Sequence, residues 1–140
     1  MRAYQNHEVW AEIAPEITPG EFNFPYHMNV GTLLRLSRAR RRSRIPFRFV
    51  SDHRPSSANS TAGGARRSAH MGTPTHAVDL RVQNSRERFK IVEAALAEGF
   101  TRIGIYPPTA FQRQIWGKNA GSVHLDDSPV HTRQVMWVSS

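Results

Sequence analysis

Seven histidines and eleven carboxylates lie along the chain, and cysteine is absent. Two short segments bring histidine and aspartate together where strands are expected. One is Ser68-Ala69-His70-Met71-Gly72-Thr73-Pro74-Thr75-His76-Ala77-Val78-Asp79, and the other is Ser122-Val123-His124-Leu125-Asp126. A catalytic zinc takes three protein ligands and keeps a position open for water, and imidazole with carboxylate suits it. Water on such an ion approaches a pKa of about 7, so hydroxide is available at neutral pH. One His and one Asp from a loop-to-strand segment, with a third ligand from a distant strand, is a workable geometry. Spacing alone leaves that reading level with surface or core histidines. Without cysteine there are no disulfides, thiolate sites or Cys nucleophile, and any metal must sit on His, Asp or Glu. Such a donor set fits a catalytic ion better than a structural one.

The elements that must carry these residues are readable from periodicity and punctuation. Phe47 to Val50 alternates as a short strand, and Ala77 to Val82 reads as a second. Asn84 with Glu87 suggests a capped helix, with Phe89, Val92 and Leu96 as its apolar stripe, Ala94 and Ala95 allowing close packing, and Gly99 as its stop. An earlier helix begins near Asn29, carries Val30, Leu33, Leu34 and Leu36, and closes at Pro46. Its end holds Arg35, Arg38, Arg40, Arg41, Arg42 and Arg44, which reads first as a solvated helix end favoured by the dipole. Further strands are expected over Arg102 to Tyr106, Ser122 to Asp126 and Gln134 to Val138. Residues 1–27 are broken by prolines and read as turns with one short helix. Residues 51–75 have a linker's composition, but their polar residues argue for an ordered functional loop. The order of elements predicts an α+β domain, mostly antiparallel sheet flanked by helices.

A chain of 140 residues fits a single small domain. Its 39% hydrophobic and 21% charged residues are those of a folded protein rather than a disordered tail. No apolar run is long enough for a membrane span. The first twenty residues lack the apolar core of a signal peptide and contain three Glu, so synthesis in the cytoplasm is expected. A net charge of +8 favours acidic partners such as an anionic cell-wall polymer. No aromatic residue interleaves the arginines and no nucleic-acid motif is present, so no nucleic-acid partner is expected.

Several of these segments, in order, resemble the zinc D-Ala-D-Ala carboxypeptidase family, subfamily A of the M15 peptidases. That family shares its fold with hedgehog domains and with phage L-alanyl-D-glutamate endopeptidases. The segments are Phe49-Val50-Ser51-Asp52-His53-Arg54, then Asn59, Gly63-Gly64-Ala65, Ser68-Ala69-His70, Ala77-Val78-Asp79-Leu80 and Val123-His124-Leu125-Asp126. The family pattern is a strand ending in Ser-Gly-Tyr-Arg, a loop with Asn and Gly-Gly, then Ser-x-His-x-x-Gly-x-Ala-x-Asp and a later His-x-Asp. The resemblance covers residues 28–138, with 1–27 as an N-terminal extension and 1–140 as one peptidase domain. It implies a hedgehog/DD-peptidase-like fold and one zinc per chain, bound by His70, Asp79 and His124. It also implies that Arg54 contacts substrate near the scissile carbonyl, a task that suits a forked planar cation. Ser51 and Ser68 would shape the loop or donate supporting hydrogen bonds.

Two departures bear on the site. The His70-to-Asp79 spacing exceeds the family's, as though the Gly-Thr-Pro-Thr stretch held an insertion. This leaves His76 as a rival ligand or a residue lining the site. On a continuous strand His76 and Asp79 would point to opposite faces, which disfavours that pair. Relatives also place a Glu or His just before the last metal His. Here Asn119, Ala120, Gly121 and Ser122 stand there, so Asp126 is the candidate to orient His124 or accept a proton, ahead of Asp127 and His131. The resemblance implies a peptidoglycan stem-peptide hydrolase, monomeric and endolysin-like, from a bacteriophage or prophage. It would act at the wall after release, or as a virion part. The alternative is a zinc- and wall-binding module of the same fold without catalysis.

Overall fold

The computed structural model describes residues 7–52, 70 and 74–139. Among these, four α-helices flank a five-stranded sheet, giving an α+β fold. The helices are α1 (His7–Ile13), α2 (Val30–Ser43), α3 (Ser85–Ala97) and α4 (Ala110–Trp116). The strands are β1 (Arg48–Ser51), β2 (Ala77–Val82), β3 (Arg102–Tyr106), β4 (Gly121–Asp126) and β5 (Val135–Val138). Their order across the sheet is β1-β2-β4-β3-β5, antiparallel throughout except for the parallel β3–β5 pair. No helix among the described residues is long and apolar enough to cross a membrane.

Three of the helices begin where a side chain satisfies their first amides. Asn29 Oδ1 accepts from Thr32 N at 3.0 Å to open α2, and Asn84 Oδ1 accepts from Glu87 N at 2.9 Å to open α3. Glu87 itself reaches past the cap to Gln83 N at 3.0 Å, so the expected capping box is displaced by one residue. Gly99, with φ at +102°, lets the chain leave α3 where a side chain would be strained. Helix α4 carries a full capping box between Thr109 and Gln112. Its Thr-x-x-Gln signature is present in the sequence directly behind Pro107-Pro108, although no helix was expected there.

The sheet separates core from site by simple alternation. Val78, Leu80, Val82, Ile103, Val123 and Leu125 are buried on one face. Leu33, Leu36 and Ala39 of α2 and Ile91, Ala94 and Ala95 of α3 close over them. The expected stripe of α3 is corrected here, because Phe89 and Leu96 are exposed and Val92 is half-buried. Ala94 and Ala95 face inward, as expected of close-packing residues, and allow a close approach to α2. Residues 9–28 also join the core, through Val9, Trp10, Ile13, Ile17, Phe22 and Met28. The arginine-rich end of α2 is likewise only partly solvated. Arg40 bridges Glu21 and the carbonyls of Glu16 and Phe47, and Arg42 pairs with Glu98 at 2.9 Å.

Candidate metal centre

The other face of the sheet carries one polar row that crosses every strand. Ser51 pairs with Asp79, Asp79 with His124, His124 with Gly104, and Gly104 with Trp137. Cross-strand partners share a face, so register alone brings Asp79 and His124 together. His70 approaches from outside the sheet and is almost fully buried, at 1% exposure. Its Nδ1 lies 2.6 Å from the carbonyl oxygen of Asp52. The Asp52 side chain in turn accepts from the amides of Asn23 at 2.6 Å and Phe24 at 3.1 Å. Asp52 thus ties the strand end, the N-terminal segment and His70 into one unit.

Three donors converge in front of the row. His70 Nε2 is 3.2 Å from His124 Nδ1 and 3.2 Å from Asp79 Oδ2, and His124 Nδ1 is 3.0 Å from Asp79 Oδ1. A carbonyl can only accept, so His70 Nδ1 donates to Asp52 and Nε2 presents its lone pair to the cluster. Asp126 Oδ2 sits 2.5 Å from His124 Nε2, which fixes the proton on that nitrogen and aims Nδ1 at Asp79. Two nitrogen lone pairs and a carboxylate cannot crowd together unless a proton or a cation lies among them. Burial opposes charge on His124, but its hydrogen bonds to Asp126 and Asp79 and their negative fields outweigh it, raising its pKa to about 9. Burial likewise works against Asp79 ionising; hydrogen bonds and charge from His124 and His70 prevail and hold it well below the usual carboxylate range.

A metal fits the same donors. Metal–nitrogen bonds of about 2.0–2.1 Å in a tetrahedron imply donor–donor edges of about 3.3 Å, close to the 3.2, 3.2 and 3.0 Å found here. One ligand atom from each of His70, Asp79 and His124 can be chosen so that all lie within 4.8 Å of one another. The set is the two-imidazole, one-carboxylate type that leaves a coordination position open.

Behind His124 stands a second layer that fixes its ring. Asp126 is fully buried, and its pKa lies below the ordinary value: burial opposes ionisation, but His124, the Ser128 amide and Arg102 together override it. Arg102 Nε donates to Asp126 Oδ2 at 3.1 Å, and Ser128 N donates to Oδ1 at 3.1 Å. The Arg102 guanidinium also lies over the Trp137 ring, 5.3 Å from its centroid. Trp137 packs 5.3 Å from the His124 ring and donates its indole N–H to Tyr106 Oη at 2.7 Å. It can sit there because residue 104 is glycine. A Cβ at that position would come within 2.6 Å of the indole carbons.

The Peptidase M15 family matches residues 12–113 of this sequence. The chain belongs to that family. M15 enzymes are metal-dependent peptidases as a rule, and the His70, Asp79 and His124 cluster could hold the ion. No curated protein matches the chain. The match begins within the segment read as an extension and ends before β4. His70 and Asp79 therefore lie inside the matched residues, while His124, Asp126 and Trp137 lie beyond them.

The other residues singled out by sequence in this M15 peptidase are placed as follows. His76 turns away from the cluster, with Nδ1 3.2 Å from Asp127 Oδ1. Asp127 also takes Thr32 Oγ1 at 2.6 Å and Arg35 Nη1 at 2.6 Å, so it is fully engaged in fastening α2 to the sheet. His131 Nδ1 meets Ser128 Oγ at 2.6 Å. Ser51 lies in the polar row beside Asp79. Arg54 and Ser68 fall outside the described residues. Sequence reasoning missed Asp52, Arg102, Gly104 and Trp137. Arg102, Gly104 and Trp137 act through contacts set by strand register, and Asp52 through contacts with His70 and the N-terminal segment; only the Ser-Asp and Arg-x-Gly strings themselves were visible.

Proposed function

We propose that this M15 peptidase hydrolyses peptidoglycan stem peptides, at a D-Ala-D-Ala or L-Ala-D-Glu bond, using one zinc ion held by His70, Asp79 and His124. The observation that carries this is the convergence of two imidazole lone pairs and one carboxylate, each imidazole held from behind by an acceptor. Zinc, when bound, supplies a Lewis acid that polarises the scissile carbonyl and acidifies water. Asp79 lowers the net charge of the site. Asp126 keeps the His124 ring in the tautomer that exposes Nδ1, so it is a positioning residue rather than a base. Arg54 is assigned, on the sequence pattern, to the substrate carboxylate or the developing oxyanion. The chain is taken to act as one domain and a monomer, at the cell wall after release or on a virion, in the manner of a phage endolysin.

The test is bound metal in protein purified without chelator, followed by digestion of muropeptides. About one zinc per chain, lost in His70→Ala, Asp79→Ala or His124→Ala and kept in His76→Ala, is expected. Metal retained in all four variants would refute the assignment. A second reading is favoured by one observation: Asn119 to Ser122 offer no base, and both oxygens of Asp126 are engaged. It is a zinc-holding wall-binding module without catalysis. Stoichiometric zinc and wall binding with every muropeptide left intact would select it.

A further inference from the structure

The polar row has a neighbour on the same face, in which two arginines stand side by side. Arg48 and Arg81 are cross-strand partners on β1 and β2, and the row continues through Ser122 to Tyr106. Arg81 is two residues from Asp79, hence on its face and about 7 Å along the strand. The two cations are not equivalent. Arg48 Nη1 has a carboxylate, Glu87 Oε1, at 3.4 Å. Arg81 makes no hydrogen bond or ion pair among the described residues, and its Nε is buried without a partner. Its guanidinium instead lies against the indole of Trp116 at the end of α4, 5.2 Å from the ring centroid.

This is an unusual place to leave a cation. A buried guanidinium N–H without an acceptor is costly, and the neighbouring Asp79 is committed to His70 and His124. The cation–π contact with the indole restrains the guanidinium, whose fork matches a carboxylate with two parallel hydrogen bonds. With one acidic partner for two arginines, this end of the face carries uncompensated positive charge.

We propose that Arg81, laid on Trp116, binds a carboxylate of the peptide substrate one row away from the metal cluster, and so selects peptides with an acid near the scissile bond. The proposal rests on the peptidase reading for what lies over the cluster, but the binding itself needs neither metal nor turnover. The carboxylate can come from a chain terminus or an acidic side chain.

Both sources are tested on metal-free protein by following the Trp116 indole N–H in 15N–1H spectra, assigned with Trp116→Phe. One pair of probes is N-acetyl-D-alanyl-D-alanine and its C-terminal amide. The other is N-acetyl-alanyl-glutamate α-amide and its glutamine counterpart. The acid of at least one pair should bind about 10- to 100-fold more tightly than its amide. Arg81→Gln should abolish that preference while leaving zinc stoichiometry unchanged, and Arg81→Lys should restore part of it. Equal binding of acid and amide in both pairs, or a preference that survives Arg81→Gln, would overturn the proposal. An Arg81-dependent preference in a protein that holds no zinc and cuts nothing would instead leave the subsite standing and remove the peptidase reading.

Discussion

Gly104→Ala is a small substitution in the middle of a strand, where alanine would ordinarily be tolerated or mildly favoured over glycine. Here the added carbon would lie 2.6 Å from two indole carbons of Trp137 and 2.8 Å from its nitrogen. The rigid indole cannot yield without giving up the 2.7 Å hydrogen bond to Tyr106 and its stacking with Arg102. Overpacking of this kind costs about 1–3 kcal/mol, and the lost hydrogen bond adds about 1 kcal/mol. For a chain of this size about 3 kcal/mol corresponds to roughly 10 °C in melting temperature. The assay is a double-mutant cycle by thermal and urea unfolding: Gly104→Ala in the parent and in Trp137→Ala. With the indole gone the alanine has room, so its cost should fall to about 0.5 kcal/mol or less. Zinc affinity should fall in the Gly104→Ala parent variant, because His124 loses the ring packed beside it. Equal cost of Gly104→Ala in the two backgrounds would show that the indole is not what the glycine accommodates.

Asp126→Asn removes the charge behind His124 and should weaken zinc binding by about 10- to 100-fold, read by competition with a chelating dye; an unchanged affinity would deny it a positioning role. Asp52→Ala leaves the amides of Asn23 and Phe24 without their acceptor and should cost about 1–2 kcal/mol in urea unfolding. The raised His124 pKa means that a metal must displace a proton near neutral pH, so calorimetry in buffers of differing ionisation enthalpy should report about one proton released per zinc. A binding heat independent of buffer would contradict this. In metal-free protein the same shift stabilises fully below pH 6.5 and is lost as pH rises through about 9. The depressed Asp79 and Asp126 stabilise above pH 3.8 and lose that contribution on acidification, so melting temperature should be highest between these limits.

Elements governed by local pattern were legible in the sequence, and contacts governed by register were not. Strands β2 and β3 fall where alternation places them, from Ala77 to Val82 and from Arg102 to Tyr106. Strand β5 starts one residue later than alternation suggests, because Gln134 takes a φ of +59° and breaks the extended run. On α3 the expected close packing of Ala94 and Ala95 is found, while the stripe of Phe89 and Leu96 fails because it weighs bulk above fit at the interface with α2. His-x-Asp on β4 could be read as a candidate ligand with its partner, since residues two apart share a face. That Gly104 lies between His124 and Trp137 could not, because nothing local reveals that β4 is inserted between β2 and β3. Arg81 looks like any outward strand arginine in the sequence, and only the fold brings Trp116 beneath it.

That insertion of β4 has a kinetic consequence. Strands β2 and β3 are consecutive in the chain yet never touch as neighbours, and each must wait for β4 to be made and threaded between them. Asp79 and His124 are 45 residues apart and meet only through this late pairing. Long closures of that kind are slow, because entropy is lost before the contacts that compensate it form. A chain arrested before β4 docks carries His70 and Asp79 but no complete chelate, so tight metal capture belongs to the finished sheet alone. Metal uptake during refolding would then report the docking of β4 between its neighbours.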